Sequence, residues 1–139
     1  MVKWIKPNEK SLKQEYKIEI EMKKNNFFSS YQEMKDAYDN SRILMVDKSI
    51  DSKISYRSRT TTKSQLLSLI KSYRSYPEFR NEATLDNLYD RIGEGKTMDM
   101  PIVLEFKNGS MRIMSGNTRA DVAMQLIGKY YAIVLKVNK

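Results

Sequence analysis

A chain of 139 residues with 40% hydrophobic side chains and a net charge of +8 has the size of one domain and enough apolar mass for a core. It contains no cysteine and no histidine, which excludes disulfides, the usual zinc ligands and the Ser-His or Cys-His nucleophile pairs, so neither zinc nor haem is expected. No apolar run reaches the length of a membrane span and the N-terminus lacks a secretory signal, so a cytoplasmic protein with no membrane partner is expected.

The segment from Leu12 to Met22 carries two patterns. Tyr16, Ile18, Ile20 and Met22 alternate with charged residues as in a half-buried strand, whereas Leu12, Tyr16 and Ile20 share one helical face. The Lys/Glu/Gln-rich flanks favour helix. Ser30-Tyr31-Gln32-Glu33 is a capping box that predicts a short helix to about Tyr38, and Ile43 to Val46 reads as a short strand. Residues 47–61 read as a polar connection. A second capping box at Thr62 predicts a helix with Leu66, Leu69, Ile70 and Tyr73 on its apolar face.

The charge is uneven. Residues 1–72 carry 15 basic and 9 acidic side chains, residues 73–139 carry 10 and 8, so most of the excess lies in the first half. Lys53, Arg57, Arg59, Lys63, Lys71 and Arg74 form a stretch without an acidic residue, interleaved with Tyr56, Tyr73 and Tyr76. Such a stripe suits nucleic acid, because each neutralised phosphate releases counterions and aromatic faces stack on exposed bases. The plainer reading is a solvated basic surface with its tyrosines in the core.

Beyond Pro77, Leu85, Leu88, Tyr89 and Ile92 predict a helix stopped by Gly93 and Gly95. Met100 to Phe106 reads as a strand, joined by an Asn108-Gly109 hairpin to a strand over Met111 to Ser115. A helix follows from about Asn117, presenting Val122, Ala123 and Leu126 and ending at Gly128, and Tyr131 to Val137 reads as the last strand. The expected class is α+β: a small mixed sheet with flanking helices over residues 73–139, with residues 1–72 as a mainly helical extension packed on it.

The turn Gly116-Asn117-Thr118-Arg119 is the most pointed chemical feature. A strand-to-helix turn aims unpaired backbone N–H groups and the positive end of a helix dipole at one place, which suits a phosphate or another anion. Gly116 allows close approach to the backbone and Arg119 adds a planar cationic fork. A cation in a first helical turn is unfavourable by roughly 0.3–1 kcal/mol and calls for a compensating anion. Without a ligand, Arg119 would pair with Asp121 or Glu105. Asn117 or Thr118 is expected to cap the helix, and Thr118 with Asp121 resembles a capping box in the first turn.

From Tyr76 to Lys139 the chain resembles the ParB/sulfiredoxin-like superfamily, often described as ParB-like nuclease domains. The resemblance rests on Tyr76-Pro77-Glu78-Phe79-Arg80, on Pro101-Ile102-Val103-Leu104, and on Gly116-Asn117-Thr118-Arg119-Ala120-Asp121-Val122-Ala123, which has one extra position before its second alanine. Small stand-alone proteins of tailed phages are similar in the Ser-Gly-Asn-Thr-Arg turn and the Tyr-Arg-Ser-Tyr-Pro segment, which would make the host cytoplasm the compartment. The resemblance implies a ParB/sulfiredoxin-like fold, nucleotide or phosphate binding at the Gly116–Arg119 turn, and Arg80 as a second phosphate contact. Sulfiredoxin chemistry would need a cysteine, the related serine kinases carry histidine at the turn, and partition proteins add a helix-turn-helix reader, so none of these three activities is expected here.

For chemistry, Glu78, Glu82 and Asp121 are the carboxylates nearest the turn in sequence. Such groups could hold Mg²⁺ against phosphate oxygens or act as a base, though caps and surface acids use the same residue types. The expected function is nucleotide or nucleic-acid phosphate binding, with nucleic acid along the stripe from Lys53 to Arg74. It is compatible with a nucleoside triphosphate ligand and with a Mg²⁺-dependent nuclease or phosphoryl-transfer reaction. The rival expectation is a non-catalytic module that binds DNA or a protein partner, such as a phage accessory protein or host-factor inhibitor.

Overall fold

The computed structural model describes residues 3–22, 27–56 and 97–139. Strand β1 (Lys3–Ile5) leads to helix α1 (Glu9–Tyr16), which runs on as a π-helical segment, Lys17–Met22. The helical alternative for this region is therefore the observed one. Asn8 starts α1 by accepting the Ser11 amide at 2.8 Å, and Leu12 is fully buried.

Helix α2 (Tyr31–Asp39) opens on Ser30, whose hydroxyl accepts the Glu33 amide at 3.2 Å. Only half of the capping box forms, because the Glu33 carboxylate accepts the Ser29 hydroxyl. Met34 is the buried anchor of α2, and Tyr38 donates its hydroxyl to the Pro7 carbonyl at 2.6 Å. Strand β2 (Arg42–Val46) follows. Of the expected polar connection over residues 47–61, the described part, residues 47–56, is more structured than its composition suggested. Asp47 caps a single helical turn, α3 (Lys48–Asp51), through the Ile50 amide, and strand β3 (Ile54–Ser55) comes next with Ile54 buried. Both helices expected between Thr62 and Ile92 lie outside the described residues.

The second described segment begins with strand β4 (Thr97–Asp99), then β5 (Ile102–Glu105), β6 (Met111–Ser115), helix α4 (Asn117–Leu126) and β7 (Tyr130–Lys136). Gly109, at φ +85°, closes the β5–β6 hairpin as its left-handed residue. Its amide bonds the Phe106 carbonyl, while the Phe106 amide bonds the Ser110 carbonyl. That pattern is a three-residue loop.

The protein is a mixed α+β structure. Its main sheet has the order β2-β7-β5-β6-β3, with β5 parallel to β7 and antiparallel to β6, β7 antiparallel to β2, and β3 parallel to β6. Two of these five strands, β2 and β3, come from the part of the chain before residue 72. A separate parallel pair joins β1 to β4. Both faces of the main sheet are covered, which is why Ile102, Val103 and Leu104 of the central strand are all buried. On one face Val46, Val103, Tyr130 and Val134 pack with Ala120, Val122 and Ala123 of α4. On the other, Ile102, Leu104, Ile133 and Leu135 pack with Leu12 of α1 and Met34 of α2.

Candidate functional site

The β6–α4 turn is set by one glycine. Ser115 ends β6 buried, and Gly116 reverses the chain at φ +84° and ψ 25°, a left-handed conformation that favours glycine. A Cβ there would stand 2.7 Å from Nη2 of Arg119, 2.9 Å from Cα of Pro101 and 3.0 Å from Cβ of Pro101. The close approach at Gly116 is thus made by the chain itself. This corrects the expectation that the glycine leaves its room to a ligand.

No side chain caps α4. Gly116 occupies the cap position, so neither Asn117 nor Thr118 acts as the cap, and the resemblance of Thr118 and Asp121 to a capping box has no counterpart. The helix starts at Asn117, so Asp121 belongs to its second turn. There it is half-buried and engaged with other groups. The reason is local: the left-handed glycine already provides the sharp entry that a polar cap would otherwise stabilise. As a result, no group among the described residues accepts from the amides of Thr118 and Arg119.

Arg119 folds its guanidinium back against Gly116. The side chain is half-buried, and its Nε is fully enclosed without a hydrogen-bond partner. Burial pushes the guanidinium below its ordinary value, and the carboxylates of Asp99 and Glu15 oppose that shift. The compensating anions for this first-turn cation are therefore the chain's own, from the end of β4 and from α1. They are not the two expected from sequence. Glu105 instead accepts both terminal nitrogens of Arg42, at 3.1 and 2.9 Å.

The structure brings together Gly116, Asn117, Thr118 and Arg119, as contiguity requires, and adds Pro101, Asp99 and Glu15. No local sequence signal announces these three, because β4 and α1 meet the turn only through the fold. Arg80, Glu78 and Glu82 lie outside the described residues, as do Arg57, Arg59, Lys63, Lys71 and Arg74 of the basic stripe. Lys53, its first member, is exposed just after α3.

Tyr56 is partly buried and packs against the core. Its hydroxyl donates to Oδ1 of buried Asp51 at 2.5 Å and lies 2.7 Å from the hydroxyl of Tyr130, which is fully buried. Burial is the main cause that raises the Tyr56 phenol far above its ordinary value, with Tyr130 and Asp51 adding to it. The plainer reading of that tyrosine is the observed one, and the Asp51–Tyr56–Tyr130 cluster was not visible in the sequence.

First-turn amides and a guanidinium are the donor types that phosphate oxygens use. Among the described residues no three acidic side chains gather closely enough to hold a metal ion. Compared with known protein families, curated proteins and solved structures, the chain matches none of them.

Proposed function

We propose that this chain is a ParB-like phosphate-binding protein whose ligand, a nucleotide or a nucleic-acid phosphate, sits at the β6–α4 turn. The observation that carries the reading is Arg119 in the first turn of α4, its Nη2 against Gly116 and its Nε without a hydrogen-bond partner among the described residues. A charged donor left without an acceptor costs about 1–3 kcal/mol or more, so the side chain gains by turning outward onto a ligand oxygen. Asp99 and Glu15 offset the burial of the guanidinium but also cancel part of its charge, so the backbone amides carry a large share of the binding.

The order of strand, hairpin, strand, glycine-led helix and strand from Ile102 to Lys136 supports the ParB/sulfiredoxin-like form of the fold. In this reading nucleic acid also contacts the basic stripe that begins at Lys53. In the catalytic version of this reading, Glu78 and Glu82 supply the carboxylates of a Mg²⁺-dependent nuclease or phosphoryl-transfer reaction. In its non-catalytic version, the same turn only binds. The pair Glu78→Gln and Glu82→Gln separates the versions, since a binder retains full affinity and a nuclease loses turnover.

The direct test is a thermal-shift screen against nucleoside triphosphates and short oligonucleotides, with and without Mg²⁺. A true ligand at a hundredfold excess over its Kd raises stability by about 2.7 kcal/mol. The rise should vanish in Arg119→Ala. A ligand that shifts both proteins equally binds elsewhere and overturns the assignment to this turn.

A further inference from the structure

A second anion site has a separate basis, in the outer face of α1. Lys10, Lys13, Gln14 and Lys17 stand at spacings of three, one and three residues, so they share one side of the helix. With Tyr16 and Tyr31 they line an open groove of about 710 Å³ between α1 and the start of α2. That volume lies within the range of about 300–1,000 Å³ found for ligand sites.

The lysines have little to hold them. Among the described residues Lys10 and Lys17 make no ion pair, and the one carboxylate that Lys13 meets is Glu9, at 3.9 Å with both side chains mostly exposed. Such a pair is worth little in water. Three ammonium groups on one face would repel each other at low salt, and natural helices usually interleave opposite charges. Here Glu15, the other acid of α1, acts on Arg119 and does not line the groove.

The aromatic walls point to the kind of anion. Tyr16 and Tyr31 meet edge to face, with centroids 5.9 Å apart and planes at 78°. Lys13 lies 5.7 Å from the Tyr31 centroid, so a cation and a ring already share one wall. The Tyr31 hydroxyl is enclosed, and burial together with the Glu9 carboxylate raises the phenol above its ordinary value. A row of cations beside ring surfaces is the combination that grips a phosphate backbone and its bases together. Along the helix the lysines are spaced by about 4.5 and 6 Å, from a rise of about 1.5 Å per residue, which suits successive phosphates of an extended strand. An acidic peptide would use the ammonium groups but would leave the rings without a partner.

We propose that the groove between α1 and α2 binds single-stranded nucleic acid, with Lys10, Lys13 and Lys17 on phosphates and Tyr16 and Tyr31 against bases. This site is independent of the β6–α4 turn, and either can fail without the other.

The test is fluorescence anisotropy of a labelled oligothymidylate titrated with the full chain across a range of salt. Three phosphate contacts on a single strand contribute about −2 to the slope of log affinity against log salt. Replacing all three lysines, Lys10→Gln, Lys13→Gln and Lys17→Gln, should remove that contribution and lower affinity by at least about tenfold near 0.15 M salt. Lys17→Gln alone should take away about a third of the slope change. Tyr16→Leu should weaken binding with the slope unchanged, because stacking releases no counterion. Arg119→Ala, run in parallel, reports on the other site and leaves the lysine contribution to the slope in place. Wild-type affinity and slope in the triple variant would overturn the proposal. So would a labelled polyglutamate bound as tightly as the oligonucleotide, which would make the groove a site for acidic protein.

Discussion

The guanidinium of Arg119 lies against Gly116, its Nη2 2.7 Å from the point where a Cβ on that glycine would stand. On the other side, Cα of Pro101 is 2.9 Å from the same point. The two neighbours differ in kind, since one is the tip of a flexible side chain and the other is backbone. Gly116→Ala should therefore cost about 1–3 kcal/mol from its positive φ and more from the collision with Pro101. Gly109→Ala has a similar φ of +85° but open space around it, so it should cost only about 1 kcal/mol. Urea denaturation measures both. Adding Arg119→Ala to Gly116→Ala should restore little, because Pro101 stays where it is. Equal losses at the two glycines would show that the contact with Pro101 carries no energy.

Arg119→Met separates structure from binding. Methionine keeps much of the buried stem and removes a charge whose Nε has no partner. Replacing an incompletely satisfied buried charge with an apolar side chain is often neutral or stabilising. Stability should stay within about 1 kcal/mol of wild type or rise, while the thermal shift given by phosphate ligands disappears. A loss above about 2 kcal/mol would mean that attraction to Asp99 and Glu15 holds the turn together, and that Arg119 is a structural residue.

These two variants also show how far the sequence could be read. The strand at Ile102, the hairpin at Gly109, the glycine-led helix after Ser115 and the last strand were legible, because each rests on a short-range pattern: alternation, a turn residue or helical spacing. The start of α2 was legible for the same reason, through Ser30. The contacts of the turn were not. Pro101 meets Gly116 because β5 and β6 pair, with a register shift between Ile102 and Val103, and Asp99 and Glu15 approach Arg119 from two other elements. Local patterns hold no information about such meetings. The composition of residues 47–61 misled for a related reason. Asp47 and Ile54 build a helical turn and a strand there, and the gain comes from pairing with β6 and burying Ile54, which a polar average conceals.

Tyr56→Phe tests the cluster that the sequence did not show. The substitution removes one hydroxyl that bonds Asp51 and meets the Tyr130 hydroxyl, and it leaves polar atoms in the interior with fewer partners. The expected cost is about 1–3 kcal/mol. Tyr130→Phe should cost a similar amount, and the double variant less than the sum, because both act on one network. Strict additivity in a double-mutant cycle would show that the two hydroxyls are energetically separate. Nucleic-acid affinity should not change in Tyr56→Phe or in Tyr56→Leu, whereas a ring that stacked on bases would lose affinity in Leu.

Arg42 and Glu105 give the fold its clearest acid-sensitive link. Arg42 on β2 reaches past β7 to Glu105 on β5, so the pair ties an edge strand to the centre of the sheet. The two bonds from Arg42 hold the Glu105 carboxyl below its ordinary value, with Lys136 adding to the effect and burial opposing it. A carboxyl lowered by folding contributes its stability above the unfolded value, here 4.5, and loses it as the pH falls through the lower folded value. The Arg42 side chain is 47% exposed, so solvent screening limits the contribution to about 0.5–1 kcal/mol. Glu105→Gln should therefore be less stable than wild type by about that amount at neutral pH, and the gap should close below about pH 4. Added salt should narrow it only slightly, because the Glu105 side chain is 23% exposed and the two bonds are direct. A gap that stays constant from neutral to acid pH would mean that glutamine is disfavoured there by packing, and that the ion pair contributes nothing to holding β2 on the sheet.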